Sequence, residues 1–508
     1  MKQETSGSPT SSRRKFLKYG AGFGAALAWP NSTVIGANGD ARVGVIGVNG
    51  RGRHHLNAYL KMPKARVAAI CDVAPDLLDA RTTLLSAQQK SEVKGFEDMR
   101  DMFEKGDIDA VSVATPNHWH SLAGIWAMQA GKDAYVEKPI SHNVWEGRQL
   151  VKVARKLDRI CQGGTQSRSM PTIRAAVDYV HSGKLGKIQF VKGMCYKGRP
   201  PIGLGGGGEI PPGLDYDLWC GPREIEKPLR RKRLHYDWHW FYAYGNGDMG
   251  NQGIHQMDVG RWFLGEKKLS PRVMSIGGRL GYKDDAETPN TQVVYHDYDS
   301  APLIFETRGL PRDKESQESG WGKNMNHPEE FPEEGGVGVV VQCENGRVYC
   351  SSGGKVKVTD NKGVEMTQIK PPNDNDQALE PDHFKNFINV VHNRKVSELH
   401  ADCEETHISS ALCHTGMISH FMGENAHDEA VREKIKSDNF LAGRYAAMAE
   451  HLMANDVNLE KDSITLGPWL TFNPDTELFE KNGDAIDQKA NQLTKESYRA
   501  PFVVPEKI

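Results

Sequence analysis

The stretch RVGVIGVNGRGRHHLNAYLKMPKARVAAICD, residues 42–72, decides the fold. RVGVIGV is an apolar run of strand length. Leu56, Tyr59 and Leu60 then recur at helical spacing, and RVAAICD is a second strand ending on Asp72. Working outward, helical patterns over 75–88, 97–105, 119–130 and 143–156 alternate with short apolar runs at 110–114, 133–136 and 159–162. Strands alternating with helices of that length predict βαβ units and a parallel, doubly wound α/β sheet. The domain is placed at residues 41–162.

The turn between the first strand and helix carries chemistry. In Gly47-Val48-Asn49-Gly50-Arg51-Gly52, Gly47 supplies the tight turn and Gly52 the close helix–strand packing of a G-x-G-x-x-G fingerprint. Asn49 stands where the second glycine is usual, and Asn tolerates positive φ better than most residues. Backbone N–H groups here would face a pyrophosphate at the helix N-terminus, with Arg51 nearby. Asp72 follows at the spacing of a carboxylate that accepts from the adenine-ribose diol and repels a 2′-phosphate. The predicted cofactor is NAD rather than NADP.

Two further segments end strands of this sheet: Thr115-Pro116-Asn117-His118-Trp119-His120 and Glu137-Lys138-Pro139. Carboxyl ends of parallel strands line the crevice where ligands of such sheets bind. With these motifs in this order, the chain over residues 42–445 resembles the Gfo/Idh/MocA oxidoreductases, which include glucose-fructose oxidoreductase and inositol dehydrogenase. The resemblance implies a catalytic Lys138 reaching the substrate hydroxyl, with Glu137, Asn117 and Thr115 framing the nicotinamide ribose. His120 is expected near the cofactor. A desolvated lysine beside a cationic ring has a lowered pKa and can exchange a proton with a sugar oxygen. His118 and His120 are two apart, off a single helical face, with no carboxylate or Cys cluster beside them, so no metal site is expected.

Past residue 162 the pattern shifts to a second α+β domain, assigned to 163–445, with strand-like runs between 187 and 350 forming an open, largely antiparallel sheet. GRPPIGLGGGGEIPPG, residues 198–213, reads as an irregular arm able to close over a ligand. HYDWHWFYAYGNGDMGNQGIHQMDVGRW, residues 235–262, is the richest stretch. The resemblance implies an acid and a His four residues apart on a helix. His255 matches that His, but Asn251 occupies the acid's place, which leaves His255 as the candidate base and Asn251 as a hydroxyl-binding amide. Asp258, Trp238 and Trp240 join it as candidate substrate contacts, as do Gln166 and Arg168 just beyond the last Rossmann strand. Residues 446–508 read as a tail docking on the body.

The N-terminus reads as an address. SSRRKFLK at 11–18 precedes an uncharged Gly/Ala-rich stretch with Ala26-Leu27-Ala28, the pattern of a twin-arginine export signal over residues 1–37. The expected partners are that export machinery and a small sugar or polyol, and the expected location is the periplasm. A formal charge of −2 over 508 residues, without basic blocks elsewhere, does not favour nucleic acid, and the apolar stretch is too short to remain as a membrane span. Eight Cys with no C-x-x-C pair exclude a disulfide scaffold but leave one or two bridges open. An exposed sheet face in the second domain would allow a homo-oligomer. Three functions fit: an NAD-dependent sugar or polyol oxidoreductase with retained cofactor, an NAD-dependent glycoside hydrolase working by transient oxidation and elimination, and a non-catalytic sugar-binding protein.

Overall fold

The computed structural model describes residues 39–224, 229–370, 381–480 and 485–508. The expected signal segment, 1–37, lies outside the described residues. Strands β1 (Ala41–Ile46), β2 (Ala65–Cys71), β3 (Lys94–Phe96), β4 (Ala110–Val113), β5 (Asp133–Val136) and β6 (Cys161–Gly163) form one parallel sheet in the order β3-β2-β1-β4-β5-β6. Both faces of such a sheet are covered, which is why its strands read as apolar runs rather than alternating ones. The strand order reverses between β1 and β4, so their carboxyl ends open a crevice. The helix Asn117–Gln129 starts there and is buried from Asn117 to Met128 on every side, as its nearly uniformly apolar or small composition requires.

The second sheet combines β7 (Ile188–Tyr196), β8 (Arg272–Gly278), β9 (Thr291–His296), β10 (Leu303–Arg308), β11 (Val337–Cys343), β12 (Gly346–Ser351), β13 (Val356–Thr359), β14 (Glu365–Thr367), β15 (Glu424–Ala426) and β16 (Ile464–Leu466). Its order is β14-β13-β12-β11-β7-β10-β9-β8-β16-β15, and only β7 and β10 pair in parallel among these neighbours. It does not close into a barrel, but both of its faces are covered. Helices Pro171–His181, Ile254–Leu264 and Cys403–Phe421 supply Ile173, Val177, Met257, Phe263, Leu412 and Met417 to one core. On the other face, Val431, Leu441, Tyr445 and Met448 of two later helices pack on Met274, Ile276, Val293 and Tyr295. Phe331 covers Met194, Tyr196, Val340 and Tyr349. The exposed face expected for self-association is therefore occupied over these strands by the chain itself.

The late sequence is woven into both domains. The division placed at 445 falls inside the helix Asn439–Met453. β16 joins the second sheet, and β17 (Leu470–Asn473) pairs with β8. Phe502 and Val504 pack in the same core as Trp119 and Trp126 of the Rossmann domain. The helix Pro381–Asn393 also returns there, with Phe384, Phe387 and Val391 against Val43, Tyr59 and Tyr135. Among the described residues, no helix is long and apolar enough to cross a membrane.

Candidate active site

At the end of β1, Gly47 takes φ +79°, and a Cβ there would lie 2.7 Å from the Ala114 carbonyl oxygen. A Cβ on Gly52 would lie 1.8 Å from the Gly47 oxygen, so the helix Gly50–Leu60 can seat on the turn only with glycine at 52. Asn49 is extended at φ −93°, and the positive φ of the turn falls on its neighbour Gly50. The tolerance of Asn for positive φ is thus not needed. Asp72 reaches back to this turn: its Oδ2 accepts from the Val48 N–H at 2.9 Å and its Oδ1 from the Ala74 N–H at 3.1 Å. Burial raises its pKa, and those N–H groups oppose the rise.

A cavity of about 450 Å³ runs along these strand ends. Gly47, Asn49, Gly50, Arg51 and Asp72 line one part, and Thr115, Asn117, His120, Glu137, Lys138 and Asn251 line the next. The Thr115 hydroxyl is buried without a hydrogen-bond partner. An orphaned hydroxyl beside a glycine cradle that admits no Cβ fits a bound dinucleotide. Leu218, Trp219, His235, Tyr236, Trp238 and His239 cover the cavity from the second domain. Their segment is brought over by the Gly-rich arm, which is pinned by Ile202 N–H to Asp284 at 2.8 Å and Gly206 N–H to Asp285 at 3.0 Å. The Asp215 N–H then donates to the Val73 carbonyl, fastening the cover to the Rossmann domain.

Glu137 is the electrostatic centre. Its Oε1 accepts from Arg51 Nε at 2.8 Å and Gln166 Nε2 at 3.0 Å, with His55 Nε2 at 3.1 Å. Burial works against its charge, but Arg51, His55 and Lys138 hold the carboxyl well below the usual range. Lys138 donates from Nζ to the Asn251 carbonyl at 2.7 Å. Burial brings its amine down to about 8, with the Glu137 charge opposing that fall. Asn251 lies in a π-helical turn, Met249–Gly253, so it is the backbone oxygen, not the side chain, that positions the lysine. The acid-to-amide change at this position leaves that contact intact.

Several expected site residues stand behind the cavity wall. Gln166 donates to both Tyr135 and Glu137 and supports the carboxylate. Arg168 makes a buried two-pronged pair with Asp258, which also accepts from Ser409 Oγ at 2.7 Å. This network fixes the helix that carries His255, and neither charge faces the cavity. Trp240 lies under the Arg199 guanidinium, 4.9 Å from its ring centre, whereas Trp238 lines the cavity and stacks on His239 at 3.7 Å. His255 is half-buried outside the lining, and burial, then the Lys138 charge, lowers its pKa to about 3. That makes it a weaker base than the lysine. His120 spans two loops, its ring nitrogens 2.6 and 2.9 Å from the Pro139 and Thr115 carbonyl oxygens. His118 turns away toward the Trp219 and Tyr244 carbonyls. Among the described residues, no three His, Cys, Asp or Glu side chains gather as metal ligands.

Sequence reasoning missed His55 and the pair Glu97–Asp98. His55 sits one helical turn beyond Arg51, a spacing that could have marked it as a second partner for one carboxylate. Glu97 and Asp98 line the cavity just beyond β3, a three-residue strand too short to read from periodicity.

The comparisons agree with this geometry. Residues 41–165 match the profile of the oxidoreductase family with the NAD-binding Rossmann fold, Gfo/Idh/MocA, and 206–327 match that family's C-terminal α/β domain. Residues 41–165 and 206–327 thus carry the two domains of the Gfo/Idh/MocA oxidoreductase family. Its Rossmann domain is NAD-binding. A curated relative from Shewanella pealeana, named a glycosyl hydrolase family 109 protein, is 34% identical over 124 residues, 24% of this chain and 27% of its own. A second of that name, from Saccharopolyspora erythraea, is 33% identical over 162 residues, 31% of this chain and 35% of its own. The chain thus spans about a third or less of these relatives' length. Among solved structures, the WlbA dehydrogenase of Bordetella pertussis with NADH and UDP-GlcNAcA has a TM-score of 0.53 at 20% identity, covering 73% of this chain and 94% of that one. The scyllo-inositol dehydrogenase of Lactobacillus casei with NAD(H) and scyllo-inositol has a TM-score of 0.51 at 19% identity, covering 74% and 95%. These two share the fold.

Proposed function

We propose that this Gfo/Idh/MocA protein is an NAD-dependent oxidoreductase that oxidises a hydroxyl of a sugar, polyol or sugar derivative, with the cofactor retained between turnovers. The observation that carries this reading is Lys138: an amine with pKa lowered to about 8, held by the Asn251 carbonyl, in the same cavity as the glycine turn. The N–H groups of the turn would hold the pyrophosphate, Asp72 the ribose hydroxyls, and Thr115, Asn117 and Glu137 the nicotinamide ribose. When bound, NAD supplies the hydride acceptor. Neutral Lys138 takes the hydroxyl proton as the carbon gives up its hydride, and the Asn251 carbonyl keeps the amine in place. Trp219, Trp238 and His239 exclude water and offer ring faces to the sugar. The cover formed by Leu218, Trp219, His235, Tyr236, Trp238 and His239 supports retention, because these side chains close the cavity over a bound dinucleotide.

A second reading is favoured by the names of the curated relatives: a glycoside hydrolase that uses NAD in a redox-neutral cycle of oxidation, elimination, water addition and re-reduction. The SSRRKFLK motif supports export by the twin-arginine machinery to the periplasm in either case. One experiment separates the readings. Protein purified without added nucleotide is assayed by mass for NAD(H), then mixed with free sugars and aryl glycosides while absorbance at about 340 nm is followed. NAD that is reduced by a free sugar and reoxidised by a second carbonyl compound supports the oxidoreductase. Aglycone release without net reduction supports the hydrolase, and failure to bind nucleotide refutes both.

A further inference from the structure

All eight cysteines are buried and free, and two of them meet where β6 lies against the start of the helix Cys403–Phe421. β6, the edge strand of the Rossmann sheet, pairs with β5 on one side. On its other side, Gln162 pairs antiparallel with Asp402, and the Gly163 N–H donates to the Ala401 carbonyl at 2.9 Å. One residue further on, the Cys161 side chain meets that of Cys403, the first residue of the helix Cys403–Phe421. Alternation along β6 puts the Cys161 side chain on the face opposite Gln162. Both cysteines are fully buried in one apolar cluster. The Arg155–Asp402 ion pair holds the same segment in place. Two side chains in contact, on segments bridged at the neighbouring pair Gln162–Asp402, need only local rotation to reach the ~2.05 Å of an S–S bond.

We propose that Cys161 and Cys403 form a disulfide that staples the edge of the Rossmann sheet to the helix Cys403–Phe421, with a small-molecule disulfide such as oxidised glutathione as the oxidant. The two thiols are oxidised together. The S–S bond of the oxidant breaks, the Cys161–Cys403 bond forms, and the two thiol protons leave on the two reduced thiol products. The staple lies behind the cavity and is independent of the oxidoreductase reading. The Cys403 contact and burial hold the Cys161 thiol well above its usual pKa, so exchange in the folded protein is slow and requires local opening.

The test equilibrates the folded, full-length protein in a glutathione redox buffer for days, then alkylates it in denaturant and maps the peptides by mass. The expected result is a Cys161–Cys403 linked peptide, with the other six of the eight cysteines alkylated. The oxidised form is expected to unfold at a higher temperature than the reduced form, and reductant removes the difference. A C161S/C403S variant is expected to show six alkylated cysteines under either condition. Should that variant fail to fold, the wild-type peptide map and its reversal by reductant decide alone. Eight alkylated cysteines after equilibration, or a cross-link through any other cysteine, would overturn the proposal.

Discussion

Replacing Lys138 with Met is expected to abolish turnover and to stabilise the fold at neutral pH. Burial pulls the amine from its usual 10.5 to about 8. That fall corresponds to ~3 kcal/mol against the charged form, and the residue's partial exposure reduces the gain on removing it to ~1–3 kcal/mol. The sign follows from proton counting. Below about pH 8 the wild-type amine is charged both folded and unfolded, so the cost is present in full. Between about 8 and the unfolded value of about 10.4, the unfolded chain binds more protons than the folded one, and wild-type stability rises with pH. The variant's advantage therefore shrinks across that window and reaches its pH-independent remainder above it. Loss of the hydrogen bond to the Asn251 carbonyl subtracts ~1 kcal/mol at every pH, so the pH-dependent part carries the test. Denaturant unfolding of both proteins from pH 7 to 10.5 measures it. A difference in stability that stays constant across this range would refute the reasoning.

Other perturbations give distinct readouts. Glu137→Gln removes the charge that opposes the lowering of the Lys138 pKa, so the acid limb of the kcat/KM profile for sugar oxidation is expected to move below 8 by ~1 pH unit or more. Asp258→Asn leaves the buried Arg168 without its carboxylate and should cost ~3–5 kcal/mol in denaturant unfolding. Gly52→Ala places a Cβ against the Gly47 oxygen and is expected to eliminate NAD binding in calorimetry. Asn251→Ala keeps the backbone carbonyl, so the acid limb should stay near pH 8 even if KM for the sugar rises.

The parts legible in the sequence were those with local patterns. β1, its glycine turn and β2 follow from a 31-residue run, and the two strand-end motifs bring Thr115, Asn117, Glu137 and Lys138 into one cavity. What could not be read depends on long-range pairing. Nothing near Arg168 announces Asp258, and nothing near Asn251 shows that its carbonyl, rather than its amide, meets a lysine 113 positions earlier. β16 has three residues and β17 four, too short to read from periodicity, and both pair with β8 far earlier in the chain. The covering of the second sheet by Phe331, Leu441 and Tyr445 is likewise a tertiary choice, since an amphipathic pattern does not name the surface it will meet. His255 illustrates the same limit in electrostatics: its type suits a base at neutral pH, but burial beside Lys138 moves it to about 3.

The most direct test of the central claim is isotopic. The protein, carrying NAD, is given one turnover with a sugar or polyol deuterated at every carbon, and the nucleotide is then released and weighed. The account predicts reduced nucleotide that has gained one deuterium from the substrate. Substrate converted while the nucleotide remains unlabelled would contradict it.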